Sequence, residues 1–210
     1  ITIIGLGQAG SSIGLALAAH KDKIKRVGHD KDAEAARAAQ KAGAVDALQF
    51  NLPASVEEAD VIILSLPLNE VRDTLEFIRA DLKEGALILD TSPAKRQGEA
   101  WARELLPAGR HYLGLVPALN PTHLLETGGG LDGAHADLFE GAACLVCPPP
   151  GLPENVMRLA TDFVLLLGAR PILSDSTEAD GLLASMLTLP KLLSVSLVDA
   201  TMDKPGWVDA

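Results

Sequence analysis

Three glycines, Gly5, Gly7 and Gly10, punctuate the opening segment ITIIGLGQAGSSIGLAL, and an acid, Asp30, stands 20 residues beyond the last of them. Each position has a chemical reason if the segment holds a dinucleotide. Gly5 allows a tight turn out of a strand, Gly7 lacks a Cβ where a pyrophosphate must approach the backbone, and Gly10 lets a helix lie close to that strand. Leu6, Gln8 and Ala9 complete the turn. The helix that begins there offers unpaired N–H groups and the positive end of its dipole to phosphate. Asp30 is placed to accept hydrogen bonds from adenine ribose hydroxyls and to repel a 2′-phosphate. NAD is therefore expected and NADP disfavoured, with the neighbouring Lys31 softening that preference. Ser65, Leu66 and Pro67 end a strand and are expected to pack on the same cofactor, because ligands of such sheets bind outside the carboxyl ends of the strands.

Hydride chemistry also needs a group that moves a proton. Asn120 and His123 lie just past the strand whose end should face a nicotinamide. Asn120 is a candidate to orient a substrate oxygen and His123 a candidate acid or base; the plainer reading makes both ordinary loop residues. Lys95 either touches a substrate anion or caps a helix. His20, His29, His111 and His135 have no partners at telling spacings and read as surface or loop residues. Cys144 and Cys147 form a CLVC segment. A redox or metal pair would need both thiols on one face, whereas strand residues i and i+3 point to opposite faces. A zinc site would need a second ligand pair, and none has the spacing. They are read as two small hydrophobes, and a cytoplasmic protein without disulfides is expected.

These residues need a scaffold that gathers strand ends at one edge, and the hydrophobic patterning supplies one. Strands are expected at Ile1–Gly5, Lys25–His29, Ala47–Phe50, Val61–Leu66, Ala86–Asp90, Tyr112–Val116, Ala142–Cys147 and Arg170–Leu173. Helices are expected at Ser11–Ala19, Asp32–Gly43, Glu70–Leu82, Glu99–Leu106 and Glu154–Leu167. A long apolar helix from about Thr177 to Thr201 follows, kinked or interrupted by Pro190. Strands separated by helices predict an α/β fold, a doubly wound, mostly parallel sheet of Rossmann type. Between Asn120 and Asp137 the pattern fails, and the run Gly128, Gly129, Gly130 suggests a mobile loop, either a lid over the crevice or a surface insertion. The last residues, DKPGWVDA, place Trp207 near the end without a capping element.

The 210 residues carry a net charge of −10. That argues against nucleic acid or an anionic membrane surface as a partner. No apolar stretch is expected to reach the length of a membrane helix, and the apolar start lacks the features of a signal peptide. Hydrophobic residues make up 48% and aromatics only 3%, so the core must be built from Leu, Val, Ile and Ala.

Taken together, the segments ITIIGLGQAGSSIGLAL, ADVIILSLPLNEVRDTL, GALILDTSPAK, DLFEGAACLVCPP, LGARPIL and EADGLLASMLTLPKLLSVSLVDA resemble the prephenate dehydrogenase family, NAD(P)-dependent enzymes of tyrosine biosynthesis. The resemblance implies a Rossmann-type domain over residues 1–174 and the start of a helical, dimer-building domain over 175–210. It implies a homodimer through the C-terminal helix and a small carboxylate substrate. The departures fall at the chemistry. Where the family reads Asp-x-Gly-Ser-x-Lys, DTSPAK keeps Asp90 and Lys95 but puts Pro93 at the serine. Where it reads Gly-Gly-His-Pro, Val116 replaces the histidine before Pro117. Where it reads Ser-His-Leu-Pro-His, Thr188 and Lys191 replace the two histidines. Lys191 is similar in position to the catalytic lysine of the β-hydroxyacid dehydrogenases and is a candidate acid or base. Two functions follow: an NAD-dependent oxidoreductase with weak or no prephenate turnover, or a dinucleotide-binding sensor or interaction protein that has lost turnover.

Overall fold

A computed structural model describes residues 1–126 and 128–202 of the chain; Trp207 lies outside the described residues. Eight strands form one sheet: β1 (Thr2–Ile4), β2 (Val27–His29), β3 (Ala47–Leu48), β4 (Val61–Leu64), β5 (Leu87–Asp90), β6 (His111–Pro117), β7 (Ala143–Cys147) and β8 (Arg170–Leu173). Their order is β3-β2-β1-β4-β5-β6-β7-β8. The first six are parallel and follow the order of dinucleotide-binding sheets, with the chain switching direction between β1 and β4. β7 pairs antiparallel with β6, and β8 runs parallel to β7.

The strands are apolar on both faces because helices cover both. Side chains alternate along a strand, so each strand divides its residues between two cores. Ile3, Val61, Ile63, Leu87 and Leu89 face one layer with Ile13, Leu17, Ala36, Ala39, Phe163 and Val164. Ile4, Ile62, Leu64 and Ile88 face the other with Val71, Leu75, Ile78 and Ala102. The helices are α1 (Gln8–Leu17), α2 (Ala33–Lys41), α3 (Leu52–Val56), α4 (Leu68–Ile78), α5 (Lys95–Leu105), α6 (Glu154–Leu166), α7 (Ser176–Leu183) and α8 (Leu189–Thr201).

Several boundaries differ from the sequence expectation, each for a local reason. α1 starts at Gln8 rather than Ser11, with Gly7 as its N-cap, so the helix begins inside the glycine segment. α3 was not expected; the Asn51 side chain caps it by accepting from the Ala54 N–H, and Pro53 sits in its first turn. α5 starts at Lys95, ahead of the expected Glu99. Its first N–H groups, of Lys95 and Arg96, donate to the two carboxylate oxygens of Asp180 at 2.6 and 3.1 Å. That cap comes from α7, far along the chain, where helix signals local to the segment cannot show it.

Pro190 neither ends nor breaks the last helix. The turn before it, Ala184–Thr188, widens to a π-helix, and the Leu189 N–H donates to the Ala184 carbonyl. The wider turn accommodates the proline that the tighter ladder would reject. The continuous helix Ser176–Thr201 spans 26 residues with a mean hydropathy of 1.6 in its most apolar window. It corrects the expectation that no stretch is long enough: by length and composition this helix could cross a membrane. Ser176 and Ala179 are buried against the sheet domain, but residues 184–200 are all exposed.

Candidate functional site

A cleft of about 360 Å³ opens at the carboxyl ends of β1, β2 and β4. Gly5, Gly7, Asp30, Ser65, Leu66 and Pro67 line it, together with Ile4, His29, Lys31, Leu52, Glu70 and Thr74. Residues from four separate segments thus meet where the strand order reverses. Gly5 has φ +91°, and a Cβ there would lie 2.3 Å from the Ser65 carbonyl oxygen. A Cβ on Gly10 would lie 1.9 Å from the Gly5 carbonyl oxygen. These two glycines are demanded by the fold itself. Gly7 is different: a Cβ there meets nothing within 4 Å, and its φ of −73° suits any residue. The fold does not require Gly7; an approaching ligand would.

The first intrahelical bond of α1 runs from the Ser11 N–H to the Gly7 carbonyl. The preceding N–H groups have no helical acceptor, and the first turn contains no acidic residue. Asp30 is held beside it: one carboxylate oxygen accepts from the Leu6 N–H at 2.7 Å, the other from the Asp32 N–H at 2.9 Å. Lys31 turns to pair with Glu70, and that hydrogen bond raises its pKa. Glu70 is a cleft residue that the sequence reading missed, although it stands in the first turn of α4, three residues after the SLP triplet. The cleft therefore presents two carboxylates, with the one adjacent ammonium already engaged.

The four candidate catalytic residues are not brought together. Lys191 is exposed on α8, where it shares a cavity of about 320 Å³ with Pro93, Leu183, Leu187, Thr188, Leu192 and Val195. The positions at which Pro93, Thr188 and Lys191 replace family residues thus converge in space. Lys95 matches neither expectation. Its side chain is 1% exposed, its stem lies against Gly114, and its Nζ donates to the Asp90 carbonyl at 2.7 Å. Burial lowers its pKa. The Asp90 carboxylate beside it accepts from the Tyr112 and Ser92 hydroxyls and the Ser92 N–H. This is an internal brace between β5, β6 and α5.

Asn120 closes its own loop. Its side-chain oxygen accepts from the Thr122 N–H, and its amide donates to the Asp137 carbonyl. His123 binds carboxylates with both ring nitrogens, Nδ1 with Glu126 at 2.8 Å and Nε2 with Asp137 at 2.9 Å. His135 is not the partnerless residue expected from spacing. Its ring stacks on that of His123 at 4.1 Å, and its Nε2 meets Glu126 at 2.6 Å. The sequence signal was the three-residue step from His123 to Glu126; the fold of the loop adds the rest. The loop itself is docked on α1 by Gln8 Nε2 to the Gly133 carbonyl and by the His135 N–H to Ser12 Oγ. Cys144 and Cys147 are free and buried, and burial pushes their thiols up to about 12 and about 11.

Comparison with known proteins follows the same line. The family model described as the nucleotide-binding domain of prephenate dehydrogenase matches residues 13–173. The prephenate dehydrogenase of Lactococcus lactis subsp. cremoris is 30% identical over 200 residues, covering 94% of this chain and 52% of that protein. The prephenate dehydrogenase of Bacillus subtilis is 25% identical, covering 96% of this chain and 53% of that protein. The chain thus spans about half the length of these curated relatives. The crystal structure of prephenate dehydrogenase from Aquifex aeolicus matches with a TM-score of 0.85 at 20% identity, over 97% of this chain and 72% of that one. A structure of that protein in complex with hydroxyphenyl propionate and NAD+ matches equally well, with a TM-score of 0.85 at 22% identity, over 97% of this chain and 70% of that one. At these identities the structural likeness establishes the fold, and the match across residues 13–173 establishes the lineage: the chain belongs to the prephenate dehydrogenase family, through its nucleotide-binding domain.

Proposed function

We propose that the chain is the dinucleotide-binding part of an NAD-dependent oxidoreductase acting on a small carboxylate of the prephenate or arogenate class, in tyrosine biosynthesis. One observation carries the reading: Gly5, Gly7 at the N-cap of α1 and Asp30 line one cleft, and of its two lining glycines Gly7 is the one the fold does not require. NAD bound there supplies the hydride acceptor. The unpaired N–H groups of Gln8, Ala9 and Gly10 hold its pyrophosphate. Asp30 orients the adenine ribose, and Asp30 with Glu70 disfavours a 2′-phosphate, so NADP is the poorer ligand. Ser65, Leu66 and Pro67 pack along the cofactor.

The substrate side belongs to the cavity shared by Pro93, Thr188 and Lys191. Lys191 is the residue there that can meet a carboxylate or move a proton, and we assign it that role. His123 and Asn120, both engaged within their loop, support the site's outer edge. We put the boundary between a sheet domain and a helical domain at residue 174 and assign the uncovered apolar face of α7–α8 to a homodimer. Free, buried cysteines support a cytoplasmic location. Family membership supports an enzyme over a binding protein without turnover.

The test is NADH formation on mixing the protein and NAD+ with prephenate, arogenate and short hydroxy acids in turn. Turnover of at least one carboxylate, abolished in Lys191→Met, is expected. Prephenate itself should be slow, because Val116 and Pro93 cannot move protons. NAD+ binding without turnover of any of them would return the sensor reading.

A further inference from the structure

The loop between β6 and β7 gathers a set of side chains that dinucleotide binding does not use. His123, His135 and Asp137 each offer one donor atom, and these atoms lie within 4.8 Å of one another. Glu126 faces both imidazoles, its carboxylate oxygens accepting from His123 Nδ1 at 2.8 Å and His135 Nε2 at 2.6 Å. The two rings are nearly parallel, 9° apart, with centroids at 4.1 Å. A divalent cation among these donor atoms would bind the neutral rings and offset the charge of the carboxylates.

We propose that His123, His135 and Asp137 form a site for a borderline transition-metal cation, zinc first, with Glu126 as a fourth ligand or as the group that orients the His123 ring. Two imidazole nitrogens with one or two carboxylate oxygens suit zinc, which binds such donors at about 2.0–2.2 Å. The same donors suit magnesium poorly, because it prefers oxygen ligands in an octahedron. A carboxylate on the far nitrogen of a metal-bound imidazole is the usual partner that fixes its orientation.

The placement gives the metal a consequence. His123 and His135 lie on either side of the Gly128–Gly130 run, and the His135 N–H and the Gly133 carbonyl already bind α1 through Ser12 and Gln8. A cation joining His123 to His135 and Asp137 would close the loop as a ring against the first turns of α1, beside the dinucleotide cleft. The site is independent of whether the chain transfers hydride.

The chain has five histidines, which makes the test direct. Chelator-treated protein is titrated with zinc chloride by calorimetry, and the histidine ring resonances are followed by NMR. The expected result is one zinc per chain, with His123 and His135 shifting while His20, His29 and His111 stay. His123→Ala and His135→Ala should each weaken binding at least tenfold, and the His20→Ala/His111→Ala double variant should bind as the parent does. Magnesium chloride should not compete. If either loop variant fails to fold, the ring resonances of the parent decide alone. Absence of saturable zinc binding by the parent, equal shifts across all five histidines, or unaltered affinity in the loop variants would overturn the proposal.

Discussion

Gly7 and Gly10 stand three residues apart, yet substitution should fail in opposite ways. A Cβ on Gly10 would sit 1.9 Å from the Gly5 carbonyl oxygen, where ordinary contact begins near 3.4 Å. Both atoms belong to backbone, so α1 must move away from β1 and loosen Ile13 and Leu17, which are fully buried. Overpacking of this kind costs about 1–3 kcal/mol. For a domain of this size each kcal/mol lowers Tm by about 2–4 °C. Gly10→Ala should therefore melt several degrees below the parent by differential scanning calorimetry. At Gly7 a side chain enters open space, and the remaining cost is loss of a good N-cap residue, about 1 kcal/mol or less. Gly7→Val should keep most of its Tm but lose NAD+, because the valine stands where the pyrophosphate meets the N–H groups. Hydrogen bonds to charged groups are worth about 1.5–3 kcal/mol each, so blocking one or two should raise Kd by roughly 10- to 10,000-fold. Calorimetric titration with NAD+ reads this. Gly7→Val binding NAD+ within twofold of the parent, or Gly10→Ala melting with it, would refute the division between a fold glycine and a ligand glycine.

Asp180→Ala removes the cap on α5, and a loss of about 0.5–2 kcal/mol in urea unfolding is expected; an unchanged midpoint would mean that the α7–α5 contact does not stabilise the sheet domain. The His123 ring is held above its ordinary value of 6.5 chiefly by its hydrogen bond to Glu126, whose carboxyl is lowered from 4.5 chiefly by the same bond. The histidine's contribution is complete below 6.5 and lost as pH rises through its raised value. The glutamate's is complete above 4.5 and lost as pH falls through its lowered value. In metal-free protein the loop is thus pinned most firmly between about pH 4.5 and 6.5, and an NMR titration should show His123 falling toward 6.5 in Glu126→Gln. Leu193→Glu on the exposed face of α8 should shift the protein from dimer to monomer in sedimentation; a parent already monomeric at micromolar concentration would end the dimer proposal.

Much of this was legible in the chain, for identifiable reasons. The central strands showed because strands covered on both faces are short, apolar and bounded by turn residues, as in Val61–Leu64. The meeting of the glycine turn and Asp30 at one cleft showed because both follow neighbouring strand ends at a fixed spacing. What was hidden depends on residues distant in sequence. The cap of α5 comes from Asp180, the stack of His135 on His123 needs the loop to fold back, and the burial of Lys95 depends on Gly114 leaving room for its stem. The last helix was expected over about Thr177–Thr201, close to its observed span, but its continuity was missed because Pro190 was read as a kink or break, whereas a π-turn absorbs the proline. Glu70 escaped notice because the side chain that shares its cleft, Lys31, lies on another strand end.

The central claim is that the Gly5–Gly10 cleft holds NAD, selected by Asp30. Its most direct test is the ratio of NADP+ to NAD+ dissociation constants, measured by calorimetry for the parent and for Asp30→Ala. Ribose hydrogen bonds to a carboxylate and the exclusion of a like charge predict NAD+ tighter by about 10- to 100-fold in the parent. In Asp30→Ala the ratio should narrow sharply, with the remainder due to Glu70. Equal affinities in the parent, a ratio unmoved by Asp30→Ala, or no binding of either dinucleotide would contradict the account.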